Sequence, residues 1–273
     1  MSSSADVAVG GADMRFVARE GRTVLAHSRV HAPVALVRPF GLEDGGQLVQ
    51  LITIGPGLCA GDRLDIRIAV EAGARVTLTT PAATRILSMD ANQLAEQHVE
   101  LHAAAGATLE YYPAVTIPFP DSAFTQTIDV HAESGARVGV LETWALGRTS
   151  RDEYLRFRRV STRTRLRVNG TLVYTDAIEL RPERDRLDGA GVLAGRRYLA
   201  SGVWYGVTLP DETAAEVDSA DLVAVMMQSR PQVASLRALG SDAPSLETTL
   251  GGASARIAAA WGHAPVSLAR FRC

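Results

Sequence analysis

The sequence predicts a mostly β protein. Repeated antiparallel hairpins would form an elongated or layered, β-helix-like architecture, with a small helical part near the C-terminus. Three observations predict it. A strand–turn–strand unit recurs through the middle of the chain, and an Asn-Gly pair lies between two alternating runs. Helical periodicity is confined to the last quarter, and no βαβ alternation is visible.

The opening stretch MSSSADVAVGGADM lacks a basic segment followed by a sustained apolar run, so it does not read as a signal peptide, and residues 1–13 are expected to be disordered. TVLAHSRVHAPVALVRPF (23–40) and QLVQLITIG (47–55) read as strands. GPGLCAGDRLDI (55–66) then crowds glycines, a proline and a cysteine ahead of an alternating run. The repeat follows in RLDIRIAVEAGARVTLTT (63–80), QHVELHAAAGATLEYY (97–112) and TQTIDVHAESGARVGVLE (125–142). Its turn glycines, Gly73, Gly106 and Gly135, stand about 30 residues apart, a period suited to stacked β units. Leu64, Ile66, Ile68 and Val70 share one strand face, and Asp65 and Arg67 point the other way. In RLRVNGTLVYTDAIEL (165–180), Asn169-Gly170 is a strong hairpin signal. DSADLVAVMMQSR (218–230) and SLETTLGGASARIAAAWG (245–262) carry the helical patterning, with Asp218, Asp221, Ser245 and Glu247 suited to helix N-termini.

Composition narrows the chemistry. Of 273 residues 47 % are hydrophobic, enough for a proper core, and a net charge of −2 argues against a polyelectrolyte partner. The chain contains no lysine, which excludes a P-loop lysine and a lysine Schiff base. Two cysteines, Cys59 and Cys273, make neither a disulfide framework nor a Cys-rich zinc site. No run approaches the roughly 20 apolar residues that span a bilayer, so a soluble, cytoplasmic protein is expected.

Several side chains invite a functional reading. His98, Glu100 and His102 alternate along one strand face and could ligate zinc, nickel or iron; the simpler reading is the solvated face of a strand whose Val99 and Leu101 face the core. Strand residues two apart lie roughly 6–7 Å apart, far for two imidazoles sharing one ion. YLRFRRVSTRTRLRV (154–168) is arginine-rich, and a solvated strand face or an acidic protein partner suits it better than RNA. Its apolar phase changes near Arg158–Arg159, which suggests a bulge. Asp62, Glu142 and Glu179 sit among apolar neighbours. Such carboxylates pair with arginine or cap backbone N–H groups, or they line a path for a divalent cation. With no lysine and no helix following, GPGLCAGD reads as a turn into a strand; Cys59 is a small hydrophobe there or a soft ligand beside Asp62.

The succession MRFVAREGRTVLA (14–26), VRPFGLEDG (37–45), GPGLCAGDRLDI, GARVTLTTPAATRI (73–86), GATLEYYPAVTIPFPDSA (106–123) and LETWALGRTSRDEY (141–154), followed by the Asn-Gly hairpin, resembles the UreD/UreH urease accessory proteins over roughly residues 14–210. The chain departs from that family's usual pattern at Ala60-Gly61-Asp62, Arg85, Tyr111 and the SLARFRC ending. The resemblance implies one mostly β domain over 1–273, with 211–273 more divergent and partly helical. It implies a non-enzymatic scaffold that binds apo-urease and, with UreF and UreG, assists nickel insertion, without nucleic acid or membrane. Nickel would be in transit, with no tightly bound cofactor and no catalytic residue. An internal water-filled passage goes with that family, and by matching position Asp62, Glu142 and Glu179 would line or shape it, supported by Thr79, Thr80 and Arg148. The competing expectation is a metal-dependent β-barrel enzyme using His98, Glu100 and His102.

Overall fold

The computed structural model describes residues 9–209 and 216–267. One sheet runs, from edge to edge, β14 (Thr171–Leu180), β13 (Arg159–Val168), β11 (Ala123–Ala132), β8 (Ala95–Ala103), β5 (Arg63–Val70), β1 (Val9–Arg19) and β2 (Arg22–His31). The other runs β16 (Glu216–Asp218), β17 (Leu222–Arg230), β18 (Val233–Gly240), β15 (Tyr198–Tyr205), β12 (Arg137–Ala145), β9 (Thr108–Tyr111), β6 (Arg75–Thr79), β4 (Gln47–Thr53) and β3 (Val34–Gly41). The short strands β7 (Thr84–Ile86) and β10 (Thr116–Pro118) attach beside β12. Their facing sides share one apolar core.

The layered, β-helix-like architecture follows from the repeat, but each repeat is a corner and not a hairpin. β5, β8 and β11 lie in the first sheet, and β6, β9 and β12, which follow them in the chain, lie in the second. Copies therefore stack in parallel, β5 on β8 on β11 and β6 on β9 on β12. The corner glycines have φ of 74°, 76° and 85°, which glycine adopts without steric cost. Corner bonds to corner: Gly73 N–H donates to the Gly106 carbonyl, and Gly106 N–H to that of Gly135. The Asn169-Gly170 turn is a true hairpin, joining antiparallel β13 and β14 with φ of 47° and 81°, as a type I′ turn requires.

Parallel register converts sequence alternation into ladders. Ile68, Leu101, Val130 and Leu166 align and are buried. Four residues earlier the same ladder reads Leu64, Gln97, Gln126 and Thr162. The core thus becomes polar at one end of the strands.

Further expectations are corrected. Val9–Asp13 is not disordered but pairs with β2 and β5, and residues 1–8 lie outside the described residues. Residues 222–230 form strand β17 in place of a helix. Leu222, Ala224 and Met226 alternate into an apolar cluster, and pairing with β18 decides a segment whose all-apolar run suits either period. The phase change at Arg158–Arg159 is the start of β13, and the register shift comes later, at Leu166/Arg167. The 245–262 helix stands as α1 (Ala243–Trp261), but Asp242, not Ser245, caps it, accepting the Ser245 N–H at 2.8 Å. Leu246, Leu250, Ala253, Ile257 and Trp261 bury one face of α1 on the outer side of the second sheet. Cys273 and the rest of 268–273 lie outside the described residues. No described helix is long and apolar enough to cross a membrane.

Candidate functional site

Along β12 the side chains of Val138, Val140, Glu142 and Trp144 alternate toward the core between the sheets. The period of two therefore places a carboxylate where a hydrophobe would stand, and Glu142 is only 5 % exposed. The opposing sheet meets it with donors. The Gln126 carboxamide and the hydroxyls of Thr162 and Thr164, both at 3.0 Å, donate to its two oxygens. These are the inward residues of β11 and β13, whose outward neighbours are the arginines of the basic stretch.

The polar chain continues away from Glu142. Gln97 donates to Gln126 at 3.1 Å and, more weakly, to the Tyr111 hydroxyl at 3.3 Å. Tyr111, Gln97, Gln126 and Glu142, with Thr79, Thr80 and Thr116, line a chamber of about 30 Å³ between the sheets, room for roughly two waters. A second cavity of about 60 Å³ shares Leu51, Ile52, Thr53, Thr80 and Thr84 with it and is rimmed by Gly55, Pro56 and Gly57. The glycine-rich loop thus sits at the outer end of the chamber, beside exposed Ile54.

Burial raises the Glu142 carboxyl to about 7; the Thr164 and Thr162 hydrogen bonds work against that rise, and the nearby Asp176 charge adds to it. Tyr111 is likewise pushed well up, first by burial and then by the Glu142 charge.

The residues proposed from sequence separate into groups. Glu142, Thr79 and Thr80 come together at the chamber. Thr79 Oγ1 donates to the Tyr112 carbonyl at 2.7 Å, and Thr80 Oγ1 accepts the Ala114 N–H at 2.9 Å, so both are held by backbone. Asp62 is buried but turned onto its own loop, where Oδ2 accepts the Cys59 N–H at 2.7 Å. Burial and the Asp62 charge push the Cys59 thiol up, which favours the small-hydrophobe reading of that residue over a thiolate ligand. Arg148 pairs with Glu153 and lies over the Phe119 ring at 4.3 Å. Glu179 is not buried: its side chain is 44 % exposed, in ion pairs with Arg159 and Arg181.

The inward acid of that strand is Asp176, which sequence reading missed. Counting by twos from buried Leu180 through Ile178 reaches Asp176, not Glu179. Arg237 reaches its carboxylate at 2.7 Å, and Ser201, the register partner of Glu142, donates to it.

His98, Glu100 and His102 face outward from the first sheet, yet do not converge. His98 turns to Asp129 (3.3 Å), whereas His102 meets Glu100 (2.7 Å) and stacks on His131 at 4.8 Å. Arg165 holds Asp129 through two bonds of 2.7 Å, so the basic stretch is largely a paired outer face.

A two-sheet β-solenoid with a small polar chamber in its core is the setting for the comparisons with known proteins. The chain matches the family model described as "UreD urease accessory protein" over residues 8–273. It is 35 % identical over 195 residues to the urease accessory protein UreD of Deinococcus radiodurans, covering 71 % of this chain and 70 % of that one. It is 37 % identical over 192 residues to urease accessory protein UreD 1 of Synechococcus sp. (strain JA-3-3Ab), covering 70 % and 72 %. To UreD of Rhodopseudomonas palustris (strain HaA2) it is 32 % identical over 226 residues, covering 80 % and 77 %. These place the protein in the class of urease accessory proteins, which are not enzymes. Within that class, the chain belongs to the UreD family.

Proposed function

We propose that this chain is a cytoplasmic scaffold of urease maturation that binds apo-urease and, with UreF and UreG, assists nickel insertion, the nickel passing through the chamber between the sheets. Relatives named urease accessory proteins support the maturation role. The single observation that carries the nickel path is Glu142, a buried carboxylate surrounded by amide and hydroxyl groups next to a cavity. Oxygen donors of this kind suit a divalent cation that must leave again. The chamber admits an ion with only a water or two, so Glu142, Gln126 and the threonines would replace its hydration shell. In this reading Asp62 shapes the entrance by holding the 55–62 loop, and Thr79 and Thr80 line the way. Glu179 and Arg148 lie outside the chamber, each held in an ion pair.

Glu142→Gln and Asp62→Ala, expressed with urease and the other accessory proteins, are each expected to lower urease activation while the chain stays folded and still co-purifies with apo-urease and UreF. Full activation in the Glu142 variant overturns the path, and failure of the wild-type chain to co-purify with either partner overturns the scaffold role.

A further inference from the structure

We propose that Glu100, His102 and His131 form a binding site for one divalent transition-metal cation on the outer face of the first sheet. The site does not rest on the nickel-path reading, because Gln97 and Gln126 of the same two strands point into the chamber while these three residues point away from it.

Glu100 and His102 stand two apart on β8, and His131 lies in register with His102 on β11. Each offers one ligand atom, and these atoms all lie within 4.8 Å of one another. An ion held at about 2.0–2.2 Å by nitrogen and oxygen needs its ligands roughly 3.4 Å apart. Half-buried side chains on an open face reach that by small rotations. The solid β-ladder fixes the three Cβ positions, so little backbone order is lost on binding.

The surroundings orient the ligand atoms. Arg67 binds Oε2 at 2.9 Å and leaves Oε1 toward His102, the part an orienting partner plays around a metal. Asp129 also faces this region from β11, already tied to Arg165 and His98, while Arg167 of β13 opposes the cation. His102 and His131 border an open groove of about 330 Å³ that Glu71 and Glu133 also line, leaving room for a fourth ligand from water or a partner. Two imidazoles and one carboxylate select zinc, nickel or copper over magnesium or calcium.

The test is equilibrium dialysis of the full chain against Zn²⁺ and Ni²⁺ at neutral pH, for wild type, His131→Ala, His102→Ala and His98→Ala, with circular dichroism confirming each fold. His102→Ala and His131→Ala are expected to lose one ion per chain or weaken its Kd at least roughly tenfold. His98→Ala keeps it. Bound Cu²⁺ should show hyperfine splitting from two imidazole nitrogens, reduced to one in His131→Ala. Equal stoichiometry and affinity in wild type and His131→Ala overturn the site, as does loss of the ion in His98→Ala alone. Glu142→Gln retains this ion whatever it does to urease activation, so the two proposals fail separately.

Discussion

Glu142→Gln preserves the side chain's shape and removes its titration. Glutamine can still accept from Gln126, and the Thr162 and Thr164 hydroxyls can rotate to serve it. The wild-type carboxyl has a folded-state pKa of about 7 against 4.5 in its ordinary state. At about 1.36 kcal/mol per unit, that difference corresponds to roughly 3 kcal/mol. The folded state holds the proton more tightly than the unfolded chain, so stability is fully present below pH 4.5 and falls as pH rises toward 7. Urea unfolding of both proteins between about pH 5 and 8 isolates the effect, since groups elsewhere cancel in the difference. The variant is expected to gain about 2–3 kcal/mol on the wild type across that range. A difference that stays constant with pH would refute the argument that burial outweighs the hydrogen bonds to the Glu142 carboxylate.

Three further outcomes test the neighbouring groups. Asp176→Asn removes a like charge and frees Arg237, so the carboxyl titration of Glu142, followed by carbon NMR, should move to lower pH; an unchanged midpoint contradicts their coupling. Gly57→Ala puts a Cβ 2.5 Å from the Arg85 carbonyl oxygen at φ 150°, and should cost about 1–3 kcal/mol in urea unfolding. Glu179→Gln touches only an exposed ion-paired cluster and should change stability by less than about 0.5 kcal/mol, with urease activation unchanged. Strong loss of activation there would move the nickel path out of the chamber.

Alternation, turn chemistry and period are local properties, so much of the fold was legible in the sequence. The three Gly-Ala turns, the Asn169-Gly170 hairpin and the amphipathic stretch that becomes α1 all follow from neighbours within a few residues. The same local rule shows that Glu142 shares the face of Val138 and Val140, and that the arginines of β13 share a face opposite Thr162 and Thr164. It would also have selected Asp176 over Glu179, had the strand been counted back from Leu180.

Only the tertiary structure decided what each strand pairs with. An alternating run looks the same whether the next turn folds it back beside its predecessor or carries it across to the opposite sheet. The corner glycines do the second, and parallel stacking then puts residues about 30 positions apart side by side. That is why Gln97, Gln126 and Thr162 form one polar ladder opposite Glu142, and why His102 meets His131 and not His98. Local alternation determined which residues of one strand share a face; the stacking of the coils determined which of those faces turn inward and which residues meet.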